Sequence, residues 1–212
     1  MRRHPADPPK TWLMTDERVG DGLWRALARL PRGSGVVFRH YRTPPAERRR
    51  LFRRVARIAR SRGLMLIRGG EHPLGGGAAG THRHRGTGLV TWPAHNRDEA
   101  VRAVRAGADL LFVSPVFVTR SHPGARVLGV SAARKIGAGL PVQIVALGGV
   151  TPKRGRLLLR SGFWGWAAID GWIACRCRPT PDESFGTPRA SRWSRDVQPL
   201  NARPSPRTAA LR

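Results

Sequence analysis

Leu140-Pro141-Val142-Gln143-Ile144-Val145-Ala146-Leu147-Gly148-Gly149-Val150 decides the fold. Val142 to Ala146 is short, apolar and rich in β-branched residues, and it runs straight into two glycines. Strands buried on both faces of a parallel sheet read this way. The glycines remove both Cβ atoms, so a phosphate can approach the backbone N–H groups. Ala108 to Thr119 repeats the pattern, ending in Ser114-Pro115-Val116-Phe117-Val118-Thr119. Together the two segments predict an α/β barrel whose site lies at the C-terminal ends of its strands.

Strand and helix signals alternate outward from this pair. Strands are expected at Thr11–Thr15, Gly35–Phe38, Leu64–Ile67, Gly80–His82, Gly88–Trp92, Leu110–Val113, Val142–Ala146 and Gly165–Ile169. Helices are expected at Gly22–Leu30, Pro45–Arg62, Asn96–Ala106, Ser131–Ile136 and Thr151–Ser161. The second is the clearest: Leu51, Phe52, Val55, Ile58 and Ala59 recur at the helical period, with arginines on the remaining faces. Asn96 suits an N-cap, with Asp98 and Glu99 in the first turn and Gly107 as the stop. Leu74 to Gly80 is too glycine-rich for a full helix. The expected fold class is therefore α/β, a (β/α)8 TIM barrel over 11–174 with a degenerate third helix. An eighth helix is missing or replaced. Residues 1–10 read as a disordered extension without the apolar core of a secretory signal. Residues 175–212 read as a disordered tail rich in Pro and Arg, with too few aliphatic residues to order itself.

The 212 residues carry 39 Lys plus Arg against 13 acidic residues, a formal charge of +26. Such basicity admits an anionic partner. Arg is scattered over helix faces and tails rather than interleaved with aromatic stacking platforms, so a solvated surface accounts for it better than nucleic-acid binding. Cys175 and Cys177 lack the companions of a metal site, and a reducing, cytoplasmic setting fits them. No apolar run reaches the ~18 residues of a membrane span.

The chain resembles the thiamine phosphate synthase family, with its thiazole tautomerase-like relatives, from about Thr11 to Trp172. The similar segments are Thr15-Asp16, Arg39 after the second strand, Gly80-Thr81-His82, and His95 with Glu99. Ala108-Asp109-Leu110, Ser114 through His122, Ala146 through Val150, and Gly162 through Ile169 complete the set. Each motif alone is weak; their order and spacing are specific for the fold. The resemblance implies coupling of a hydroxymethylpyrimidine diphosphate to a thiazole phosphate, with release of pyrophosphate. It implies Arg39, Ser121 and His122 as catalytic residues, Thr119, Gly148, Gly149 and Asp170 around phosphate, and His82 and His95 as further candidates.

Each candidate has a plainer reading. Gly148-Gly149 could be only a tight turn, and Thr119 and Ser121 could simply end a strand. Arg39 could pair with Asp16 or Glu17, and the histidines could be packed and hydrogen-bonded. The family's Mg²⁺ is implied too, held by an Asp after each of strands three and four. Those places read Ile67-Arg68-Gly69-Gly70-Glu71 and His82-Arg83-His84-Arg85, leaving Glu71 as the nearby carboxylate. Tyr41, His122 and Asp170 stand where the family has Lys, Lys and Ser, and Pro115 where the tautomerase-like branch has His. A weakly active or inactive member that binds a phosphorylated thiamine-related metabolite is the alternative, and a basic nucleic-acid-binding barrel the second.

Overall fold

A computed structural model of the chain describes residues 7–121 and 124–173. Eight strands, β1 (Thr11–Met14), β2 (Gly35–Phe38), β3 (Met65–Gly69), β4 (Gly80–His82), β5 (Leu89–Ala94), β6 (Leu110–Val113), β7 (Gln143–Ala146) and β8 (Gly165–Ala168), close into a barrel in sequence order. Neighbouring strands run parallel, including β8 beside β1. Helices follow five of them: α1 (Gly22–Arg29), α2 (Pro45–Ser61), α3 (Arg97–Arg105), α4 (Gly129–Gly137) and α5 (Pro152–Arg160). Among the described residues, β3 and β4 are followed by helix-free loops and β8 by one 3₁₀ turn, Asp170–Trp172. The tail and both cysteines lie outside the described residues, as do residues 1–6, the start of the expected N-terminal extension.

Alternate side chains along each strand build two apolar layers. Trp12, Met14, Val37, Ile67, Leu110, Phe112 and Val145 fill the barrel. Leu13, Val36, Phe38, Leu66, Leu111 and Ala146 face outward onto Leu27, Phe52, Val55, Ala100 and Leu158 of the helices. Trp12 lies across the interior, edge-on to Phe112 at 5.4 Å. Its partner in the β1–β2 register is Gly35, where a Cβ would stand 2.1 Å from the indole. Only glycine leaves that space.

The N-cap of α3 is the one the sequence foretells. Asn96 accepts a hydrogen bond from the Glu99 N–H at 2.9 Å, and the Glu99 carboxylate accepts from the His95 N–H at 2.8 Å. This is a reciprocal capping arrangement shifted by one residue.

Where helices are lacking, arginine closes the structure. The Arg68 guanidinium donates to the His72 carbonyl at 3.0 Å and contacts His84 Nε2 at 3.1 Å. Leu74, 3 % exposed, plugs the gap beneath. Arg48 is not part of the solvated face of α2 that the sequence implies. Its Nη2 donates to the Gly69 carbonyl at 2.6 Å and to that of Arg39 at 3.2 Å, and it is buried. No helix among the described residues is long and apolar enough to cross a membrane.

Candidate active site

The strand C-termini open into one cavity of about 520 Å³. Met14, His82 and Phe112 form its floor. Thr119, Ser121, Gly148 and Gly149 line one side, with Asp170 beside them and Arg39 and His95 at other strand ends. The structure thus brings together every described candidate except Glu71, which is exposed and outside the lining. His122 lies outside the described residues.

The β6 and β7 loops continue the sheet's ladder beyond the strands. Val116 N–H donates to the Leu147 carbonyl at 2.9 Å, and Phe117 N–H to that of Gly148 at 3.1 Å. At Gly149 φ is +63°, and a Cβ would meet the Val118 carbonyl oxygen at 2.2 Å. The loops close this tightly because that atom is missing. Among the described residues, the N–H groups of Gly148, Gly149 and Val150 have no acceptor. Thr119 Oγ1 and Ser121 Oγ stand 2.9 Å apart beside them. Bare N–H groups with adjacent hydroxyls at a helix start have the chemistry to receive an anion. Thr151 caps α5 by accepting from Arg154 N–H. The Arg154 side chain returns to the Gly149 carbonyl at 2.7 Å, with its guanidinium 4.7 Å from the Phe117 ring centre.

Arg39 is held from below. Its Nε donates to the Thr15 carbonyl at 2.8 Å and its Nη2 to Asp16 Oδ2 at 3.2 Å. Of its two sequence-level partners, the structure selects Asp16, while Glu17 takes the N–H groups of Arg42 and Thr43. Burial lowers the Arg39 pKa, with the Asp16 charge opposing. Partial burial works against the Asp16 carboxylate, but hydrogen bonds from Arg18 outweigh it and the pKa is lowered.

His82 is both packed and part of the site. Its Nδ1 meets Thr91 Oγ1 at 2.9 Å. The single hydroxyl proton of Thr91 goes to the Thr81 carbonyl. In this assignment His82 donates from Nδ1, which leaves Nε2 with a lone pair. Burial, then the charges of Arg39 and Arg83, pushes its pKa down to about 3. The ring is thus a neutral acceptor beside the arginines of the mouth. His95 is exposed and contacts Glu99 Oε2 through Nδ1 at 2.8 Å.

Sequence reasoning met Arg83 only as a break in the Mg²⁺ motif and passed over Arg120 and Arg154; all three also line the cavity. Arg83 and Arg154 carry a usable signal, since one directly follows β4 and the other sits in the first turn of α5.

The implied Mg²⁺ does not fit the donor set. Among the described residues no three His, Cys, Asp or Glu side chains gather to hold a metal. Both Asp16 oxygens are taken by Arg18 and Arg39. Asp170 stands at the end of β8, and β4 lies half-way round the closed ring from it. Arg68, near the end of β3, donates to the loop carbonyls of Glu71 and His72, and Arg83, directly after β4, lines the cavity.

A sequence profile described as "Thiamine monophosphate synthase" matches residues 78–171, which span β4 to β8. The chain is similar to the "Thiamine-phosphate synthase" of Methanoregula boonei, 30% identical over 160 residues, covering 66% of this chain and 74% of that one. It is 37% identical over 90 residues to the "Thiamine-phosphate synthase" of Chloroflexus aurantiacus, 42% of each chain. It is 32% identical over 85 residues to the "Putative thiamine-phosphate synthase 2" of Aquifex aeolicus, 40% of this chain and 46% of that one. The alignment spans less than half the length of these last two relatives. Among solved structures, "Thiamine phosphate pyrophosphorylase from Pyrococcus furiosus" shares the barrel, with a TM-score of 0.67 at 21% identity over 80% of this chain and 90% of that one.

Proposed function

The chain belongs to the thiamine monophosphate synthase family, and on that premise we propose that its barrel mouth joins the two phosphorylated precursors of thiamine phosphate. The bond between the pyrimidine methylene carbon and the diphosphate oxygen breaks, and pyrophosphate leaves with the electron pair. The thiazole ring nitrogen donates its lone pair to that carbon, forming the new C–N bond. No proton changes hands, so the reaction asks for no general base. The site accords with this: the His82 pKa of about 3 makes it a poor base at neutral pH. What the reaction does ask for is stabilisation of a departing anion and a seat for the second phosphate.

The observation that carries the reading is the bare Gly148–Val150 backbone beside the Thr119 and Ser121 hydroxyls. It suits the thiazole phosphate. Arg39 suits the diphosphate, because Thr15 and Asp16 fix the guanidinium plane that would face it. The His82 Nε2 lone pair suits a ring amino group.

The test is release of pyrophosphate by the purified chain from hydroxymethylpyrimidine diphosphate and thiazole phosphate. Release that requires both substrates is expected. No product at millimolar substrate would refute coupling. A barrel that binds a phosphorylated precursor without joining it is the second reading, favoured by the poor fit of a divalent ion. Heat from thiazole phosphate binding with no product identifies that case.

A further inference from the structure

We propose that the mouth holds a diphosphate with guanidinium groups alone, Arg83 and Arg39 standing where a divalent cation would otherwise bridge phosphate to protein. The inference rests on the reading that a diphosphate binds here, and it deepens that reading.

Arg83 is the key residue. It follows β4 directly and its N–H is pinned to the Thr91 carbonyl at 3.0 Å, yet φ is +69°. Residues with side chains rarely adopt this conformation, and Gly or Asn would meet it at less cost. A backbone outlier of this kind at a cavity rim is a reason to look for function. Here the strained residue carries a cation. Its guanidinium has no hydrogen-bond or ion-pair partner among the described residues, although it lines the cavity. Arg39 follows β2 and Arg83 follows β4, two strands apart on the closed ring, and both line the cavity. Arg39 Nη1 is likewise unengaged among the described residues, its other nitrogens being fixed on Thr15 and Asp16.

The carboxylates point the same way. Mg²⁺ is usually held by one or two carboxylates together with substrate phosphates. Asp16 is neutralised by two arginines, and Asp170 stands across the ring from Arg83. A cation at the tip of β4 would face the Arg83 guanidinium rather than a carboxylate. A diphosphate there needs no intermediary, because planar guanidinium groups pair with its oxygens directly.

Calorimetry of the full chain with inorganic pyrophosphate, in EDTA and in excess Mg²⁺, is the test. Binding in EDTA should be at least as tight as with Mg²⁺, since the metal complexes pyrophosphate and lowers its charge. Arg83→Asn removes the cation while suiting a positive φ, so the fold is retained. It should weaken pyrophosphate binding about tenfold or more. Arg83→Lys should recover part of the loss, and inorganic phosphate binding at the Gly148–Val150 backbone should change little. Binding that appears only with Mg²⁺, or that Arg83→Asn leaves intact, overturns the proposal. So does Mg²⁺-dependent binding that Asp170→Asn abolishes. Arginine-dependent pyrophosphate binding without coupling activity leaves this inference standing and refutes the coupling reaction instead.

Discussion

Replacing Gly149 by Ala probes the proposed phosphate seat and the packing that shapes it. Two costs add. Alanine at φ +63° carries a left-handed penalty of about 1 kcal/mol. Its Cβ would also sit 2.2 Å from the Val118 carbonyl oxygen and 2.9 Å from Phe117 Cβ. Both neighbours belong to the β6 loop, so that loop must back away, at an overpacking cost of about 1–3 kcal/mol. Gly33→Ala supplies the control. Its φ is +74°, but nothing lies within 4 Å of the new Cβ, so only the conformational cost applies. Urea unfolding should therefore show Gly149→Ala losing about 2–4 kcal/mol and Gly33→Ala about 1. Displacing Val118 also moves Thr119, so phosphate binding by calorimetry should weaken in Gly149→Ala alone. Equal destabilisation of the two variants with phosphate affinity unchanged in both would refute the reasoning. The glycine pair would then be a turn and nothing more.

Three other outcomes follow from the same geometry. His82 has a folded pKa of about 3 against an ordinary 6.5, so the unfolded chain takes up its proton first. Stability is full above pH 6.5 and should fall as pH drops toward 3, by up to about 1.4 kcal/mol per unit. His82→Gln should reduce the slope of urea stability between pH 6.5 and the carboxylate range, leaving the share of His40, whose pKa burial also lowers, and an unchanged slope contradicts the burial described. Asp16 and Glu99, both lowered, act only below the usual carboxylate range, at about pH 4. Phe112→Ala empties a site that packs Trp12 and His82 at 5.4 and 5.7 Å. It should cost about 3–5 kcal/mol in urea unfolding; a loss below ~1 kcal/mol would mean the interior is not packed this way. Asp170→Asn removes an anion from the Gly148–Gly149 side of the cavity and should tighten phosphate binding by about 2–5-fold. Weaker binding would show that the carboxylate assists the ligand.

The barrel was legible because a strand buried on both faces leaves a short apolar signature that its neighbours cannot blur. The bounds of β2, β4 and β6 match the sequence reading residue for residue. β3 does not: it runs to Gly69, past the apolar Leu66 and Ile67. Arg68 and Gly69 are strand because their backbones pair with Phe38 and His82, and hydropathy does not record pairing. α4 likewise starts at Gly129, before the first apolar-periodic residue. The helix-free β3–β4 connection was visible in Gly75-Gly76-Gly77, but the arginine that closes it was not.

The site divides along a similar line. Thr119, Ser121, Gly148 and Gly149 could be found because polar or small residues directly after an apolar run have few structural reasons to be there. Arg39 apart, the arginines were not sorted, because a composition gives every guanidinium the same letter. The structure gives them different work. Arg48 is buried under two carbonyls, and Arg54 lies 3.9 Å from the ring centre of Trp24 on the outer surface. Arg83 is held at a strained φ over the cavity. Charges on the outside of α2 are screened within about 8 Å at physiological salt. Charges around a concave mouth are screened less and reinforce one another. The chain's charge of +26 therefore says little about its ligand. The informative charges are the few guanidinium groups that line the cavity, Arg39 fixed on Asp16 and Arg83 without a partner among the described residues, and the positions of the strand ends reveal which ones those are.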